Sequence, residues 1–326
     1  MSMRNFLKRA ALLGMAALFA LPGVAGAQAY PNKVIKIVVP FGPGGIADLS
    51  VRVVAQKMAE SLKQPVIVDN RPGAGGIVAA DTVAKAAPDG YTLLLISNGT
   101  AVSAGLFNKL PYNTLNDFAP ISTIGFFDLV VIASKKAPFT NIGEVIKYAK
   151  DHPGKLNVGT ITRGSTQNLA AELFTNTAGI QAVIIPYKGT PDVITAATAG
   201  DIDIGFEILG PMLAQIKSGN VKALALTSSK RFPGLPDLPT VAESGLPNYQ
   251  ATSWNGLAAP AKTPKEIVDR LSKEVAAAVA QPDVKQRLIE LGVSAQSSTP
   301  DATKNLLASD IAKWSKVIEQ AKIEKQ

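Results

Sequence analysis

Val34-Ile35-Lys36-Ile37-Val38-Val39-Pro40-Phe41-Gly42-Pro43-Gly44-Gly45-Ile46-Ala47-Asp48 decides the fold: an apolar, β-branched run, then a glycine-rich turn, then a helical pattern that holds over residues 49–62. A strand apolar along nearly its whole length is covered on both faces, as in parallel sheet. The unit continues with a strand at 66–69, a helix at 81–87 and a strand at 92–97. Strands alternating with helices predict an α/β fold.

Two apolar, strand-like pieces around Gly125 fill 118–132, after which the rhythm restarts. Helices are expected at 142–150, 165–175, 193–199 and 212–218, and strands at 156–160, 183–186, 202–206 and 221–227. This second series mirrors the first, and both contain strand, glycine-containing loop, helix and strand. Proline-rich segments at 232–239 and around Pro260 and Pro264 lead to two long amphipathic helices, 264–280 and 301–323, with Thr-Pro or Pro-Asp at their starts. Two similar α/β lobes with a helical tail predict a bilobed protein whose ligand lies between the lobes.

The 326 residues are 47% apolar, enough for a sizeable core. With no cysteine, disulfides, thiolate metal sites and cysteine nucleophiles are excluded; with His152 as the single histidine, so are multi-histidine zinc sites and most histidine relays. His152 lies in Asp151-His152-Pro153-Gly154, a helix-terminating turn. Arg4, Lys8 and Arg9 precede the apolar run 10–21, Pro22-Gly23 and the A-x-A pattern Ala25-Gly26-Ala27, which together read as a secretory signal peptide over 1–27; a second A-x-A, Ala27-Gln28-Ala29, leaves the cut uncertain by two residues. Without 1–27 the chain has 30 Lys+Arg against 25 Asp+Glu, a net +5. These charges are scattered and interleaved with acids, which gives nucleic-acid binding no footing but favours small anions.

Candidate chemistry gathers in two turns. In the first, glycines let backbone approach a ligand, and Asp48 is placed to cap a helix whose free N–H groups attract an anion. Gly42-x-Gly44-x-x-Ala47 with Asp69 also fits the dinucleotide fingerprint, although Pro43 is unusual there, and a plain strand-to-helix turn is a third reading. The second is Gly159-Thr160-Ile161-Thr162-Arg163-Gly164-Ser165-Thr166, where Arg163 adds a planar cationic fork or is merely a loop arginine. Ser97, Ser165 and Thr166 lie at strand ends, but no G-x-S-x-G elbow accompanies them. Asp201 and Asp203 alternate with Ile202 and Ile204 and read as solvated. Glu207, after Phe206, is placed to reach the cleft or to serve as a surface carboxylate.

These residues resemble the Bug receptors, the periplasmic solute-binding proteins of tripartite tricarboxylate transporters. The resemblance rests on Tyr30-Pro31, the 40–45 loop with Asp48, Asn70-Arg71-Pro72-Gly73-Ala74-Gly75-Gly76, Pro88-Asp89-Gly90-Tyr91-Thr92, Leu110-Pro111-Tyr112 and Asp117-Phe118-Ala119-Pro120. It continues through Tyr187-Lys188-Gly189, Leu224-Ala225-Leu226 with Arg231, Pro239-Thr240 with Glu243 and Gly245, Trp254-Asn255-Gly256, and Ala259-Pro260 with Thr263-Pro264. It spans essentially the whole chain after the signal peptide.

The resemblance implies a two-lobed periplasmic binding fold, a type II-like Venus flytrap with parallel-rich sheets and C-terminal helices. Lobe 1 is expected over 28–127 plus 254–326 and lobe 2 over 128–253, with hinge strands near 127–130 and 251–255. It implies no catalysis and no cofactor. Residues carried over as ligand-binding are Phe41, Gly44, Gly45, Ile46, Ala47 and Asp48 from the first loop, Thr160, Arg163, Gly164, Ser165 and Thr166 from the second, Asn98 in the loop after the third strand, and Phe206 and Glu207 lining the cleft. Similar receptors commonly carry histidines near Ala101 and Asn168, absent here, and a small or polar residue at Arg163. The departure suggests a pocket suited to a second negative group.

The expected function is periplasmic capture of a small organic acid, carboxylate or dicarboxylate, by a monomer that delivers it to the membrane subunits of a tripartite transporter. A ligand sensor for a signalling partner would use the same pocket. A secreted hydrolase or oxidoreductase lacks a nucleophile–base pair or an assured cofactor.

Overall fold

A computed structural model describes residues 30–326. The expected signal peptide and its cleavage points lie outside the described residues. The first series forms β1 (Ile35–Val39), α1 (Ile46–Leu62), β2 (Val66–Asn70), α2 (Ile77–Ala84), β3 (Thr92–Ser97) and α3 (Asn98–Leu106). A 17-residue strand, β4 (Phe118–Ser134), leads to α4 (Ile142–Asp151), β5 (Leu156–Thr160), α5 (Thr166–Ala178), β6 (Ala182–Pro186), α6 (Thr190–Ala199), β7 (Ile204–Ile208), α7 (Leu209–Lys217) and β8 (Val221–Leu226). The chain returns through β9 (Thr252–Pro260) and ends in α8 (Lys265–Ala280), α9 (Pro282–Glu290), β10 (Val293–Ala295) and α10 (Pro300–Gln320). Among the described residues no helix is long and apolar enough to cross a membrane.

The strands run in the order β2-β1-β3-β9-β4-β7-β5-β6, with β8 and β10 also paired to β4. Both wings are parallel, β1 with β2 and β3, and β5 with β6 and β7. The centre is antiparallel, because β4 and β9 run back between the wings. Pairing of β4 with β9 reaches Asp128 opposite Thr252, and from Leu129 onward β4 pairs with β7, opposite Ile208. This is an α/β sheet with two mirrored wings, the two-lobed arrangement expected from the repeated rhythm. Trp254 and Trp314 are fully buried, and the Trp254 indole donates to Asp310 at 2.7 Å, pinning α10 to β9.

Three local expectations change. The two strand pieces around Gly125 are one strand: a register shift between Thr123 and Gly125 absorbs the glycine, and a Cβ there would lie 2.7 Å from the Ser294 carbonyl, so the residue admits β10 at close range. Asn98 is not in a loop but opens α3, whose Asn-Gly-Thr start is a poor helix former; Ser97 and Thr100 form a capping box that offsets this. Asp203 precedes β7 and is not simply solvated, since its carboxylate accepts the Asn157 N–H at 2.8 Å.

Candidate functional site

Four strand-to-helix turns, β1–α1, β3–α3, β5–α5 and β7–α7, meet around one cleft of about 640 Å³. Each presents the N-terminus of a helix, where the first amides have no partner within the helix and the dipole is positive. The wall includes Gly45, Ile46 and Ala47 at the start of α1, Ser97, Gly99 and Thr100 at the start of α3, Ser165, Thr166 and Gln167 at the start of α5, and Ile208 and Pro211 at the start of α7, the first of each set being the N-cap. The first turns of α1 and α7 receive no hydrogen bond from a capping side chain.

The first and third turns share one construction. Gly44 and Gly164 both have left-handed backbone, φ +86° and +78°, a region glycine enters without penalty. In each case the N–H of that glycine donates to a side chain four residues on: to Asp48 Oδ2 at 2.8 Å, and to Asn168 Oδ1 at 2.9 Å. Contrary to the expectation from the sequence, Asp48 does not cap α1, because it bonds the residue before the Gly45 N-cap. It braces the loop instead: Oδ1 accepts from Arg52 Nε at 2.9 Å and Asn70 Nδ2 at 2.9 Å, while Asn70 Nδ2 also reaches the Phe41 carbonyl at 3.0 Å. Burial pushes the Asp48 carboxyl up, but Arg52, the Gly44 amide and Asn70 together hold it below the usual range. Asp48→Ala should therefore lower unfolding free energy by about 2 kcal/mol in urea melts, since hydrogen bonds to a charged group contribute about 1.5–3 kcal/mol and the exposed Arg52 is screened. Unchanged stability would remove the bracing role.

Of the expected site residues, Phe41, Gly45, Ile46, Ala47, Arg163, Gly164, Ser165 and Thr166 lie on the cleft wall. Gly44 is exposed and not on it, and Asp48, Asn98, Thr160, Phe206 and Glu207 are buried off it. Asn98 is buried and donates to Thr166 Oγ1 at 2.8 Å while accepting from the Trp314 indole, joining α3, α5 and α10. Thr160 is buried beside Asn168, at 3.4 Å. Phe206 packs on Phe174 with ring centroids 5.5 Å apart. Glu207 is wholly buried; burial pushes its carboxyl up, against hydrogen bonds from Thr190 at 2.9 Å and Gln167 at 3.5 Å. Gln167 is on the wall, so Glu207 positions a wall residue rather than forming the wall itself.

Sequence reasoning did not single out Ser97, Thr100, Gln167, Ser253 or Asn255 as lining residues. Asn255, visible only as part of Trp254-Asn255-Gly256, donates to Ser50 on α1 at 3.0 Å. Arg163 is the only charged side chain on the wall among the described residues; it is exposed, and its charge acts on the Glu172 carboxyl. An amide-lined cleft whose only charged wall side chain, among the described residues, is a cation is complementary to an anion.

A family model described as tripartite tricarboxylate transporter family receptor matches residues 50–323. The chain is 34% identical to the protein BugT of Bordetella pertussis over 321 residues, 97% of this chain and 98% of that protein. Among solved structures it is similar to Rpa4515 of R. palustris with adipate, at TM-score 0.78 and 32% identity, over 91% of this chain and all of that one. It is also similar to MatC of Rhodopseudomonas palustris with bound malate, at TM-score 0.73 and 34% identity, over 89% of this chain and all of that one. The fold, the family model and the relatives agree over most of the length: the chain belongs to the receptor family of the tripartite tricarboxylate transporters, whose members are binding proteins and not enzymes.

Proposed function

We propose that the protein captures a small organic acid in the periplasm, between two lobes, and delivers it to the membrane subunits of a tripartite transporter. The observation that carries this reading is the convergence of four helix N-termini on a cleft whose only charged wall side chain, among the described residues, is Arg163. Relatives bearing adipate and malate support the ligand class. Lobe closure would turn on β4 near 127–130 and on 251–255, the region where β4 exchanges β9 for β7 as its partner. Binding energy would then favour the closed state.

A thermal-shift screen of carboxylates tests the reading. A bound acid at 100 times its dissociation constant should stabilise the protein by about 2.7 kcal/mol, with the acid recovered unchanged. Chemical conversion of the bound acid, or no stabilisation by any carboxylate, would refute it.

A further inference from the structure

The cleft extends beyond its helix N-termini. It is also lined by Ala80 on α2, Leu94 on β3, Val102 and Leu106 on α3, and by Phe107 and Tyr112. All of these except Phe107 are buried, which sets this part of the cleft inside the protein rather than on its rim. None carries a charge. The one neighbouring serine, Ser103, already donates to the Gly75 carbonyl at 2.7 Å. Tyr112 is 8% exposed and packs edge-on against Phe118. Burial, reinforced by the nearby Asp81 carboxylate, pushes the Tyr112 phenol up to about 12.

We propose that the ligand is a carboxylate with an apolar body, an aryl or branched alkyl group, housed against this inner wall while its carboxylate meets the helix N-termini. This rests on the carboxylate reading above. A short hydrophilic acid would not reach this wall and would gain nothing from it. The cleft, at about 640 Å³, falls in the range of roughly 300–1,000 Å³ typical of sites for drug-sized ligands. Each methylene buried against such a wall raises affinity about fourfold, and burial of a group the size of a phenylalanine side chain raises it roughly 10- to 150-fold.

Calorimetry with two matched pairs, propanoate with 3-phenylpropanoate and succinate with 2-benzylsuccinate, tests the proposal. The heads are identical within each pair, and only the body differs. In wild-type protein the arylated acid should bind at least tenfold tighter in whichever pair binds. Ala80→Leu fills the inner wall and should reduce that ratio to about threefold or less, and Val102→Phe provides the same readout where leucine at 80 is not accommodated. If an unsubstituted acid binds and its arylated partner binds no tighter, the apolar-body proposal is overturned while the carboxylate reading stands. If none of the four binds, the apolar-body proposal is overturned, and the carboxylate reading is decided separately by the wider thermal-shift screen. An undiminished ratio in a variant that melts cooperatively would also overturn the proposal, because the body would then lie elsewhere.

Discussion

Asp128→Asn is expected to stabilise the protein by about 3 kcal/mol at pH 7.5 and to change little at pH 3.5. Asp128 sits on β4 opposite Thr252, 5% exposed, at the point where β4 changes partners. Burial pushes its carboxyl up from 3.8 to about 6, with the Ser228 hydroxyl opposing the shift. Below the unfolded value both states hold the proton, and Asp128 adds no pH dependence. Between 3.8 and about 6 the unfolded chain releases its proton and the folded one does not, so rising pH draws the equilibrium toward unfolding. The loss is complete above the folded value and amounts to about 3 kcal/mol, at about 1.4 kcal/mol per pH unit. Asparagine keeps the shape without the charge. Other shifted carboxyls, among them Glu207 and Asp48, add slopes of their own, which cancel in the difference between wild type and variant. Urea melts from pH 3.5 to 7.5 provide the check: curves that stay parallel across that range would mean Asp128 is solvated in the folded protein.

The alternation of strands and helices was legible because each buried strand is a short apolar run between turn residues. Residues 156–160 form β5 as read, and α4 extends one residue beyond the expected 142–150. Where tertiary contacts override local preference, the sequence was silent. The Asn98-Gly99-Thr100 start of α3 resembles a loop, and its helix depends on the Ser97–Thr100 capping box and on buried Val102 and Leu106. The two site turns were legible through their glycines, but the equivalence of Asp48 and Asn168 was not, because a carboxylate and an amide perform the same bracing task with different letters. The inner wall was hidden for a different reason: Val102, Leu106 and Tyr112 have the composition of ordinary core, and only the packing shows that a cleft reaches them.

Arg163→Ala is expected to weaken a diacid such as succinate roughly 10- to 150-fold, the equivalent of one charge-assisted hydrogen bond of about 1.5–3 kcal/mol, and to leave its monoacid analogue propanoate nearly unaffected. The reason is a division of labour. The uncapped amides at the starts of α1 and α7 can hold one carboxylate without any side chain, so the arginine is spare for a second. Arg163 occupies the tip of the β5–α5 turn on the cleft wall and is exposed. An arginine that stayed exposed with ligand bound would contribute about 0.2–1 kcal/mol, no more than about fivefold, because water screens such a pair. The larger effect therefore requires the cleft to close over the contact, and the size of the loss reports closure as well as pairing. Arg163→Lys should recover only part of the affinity, since ammonium keeps the charge but not the planar fork that matches a carboxylate. Raising ionic strength separates the two cases again: an enclosed pair keeps its diacid preference, whereas general attraction to a mildly basic surface fades within a Debye length of about 8 Å at physiological salt. Calorimetry with propanoate and succinate on the three proteins decides it. Equal losses for both acids, or a loss below fivefold for succinate, would make Arg163 a surface arginine and remove the reason to expect a dianionic head group on the ligand.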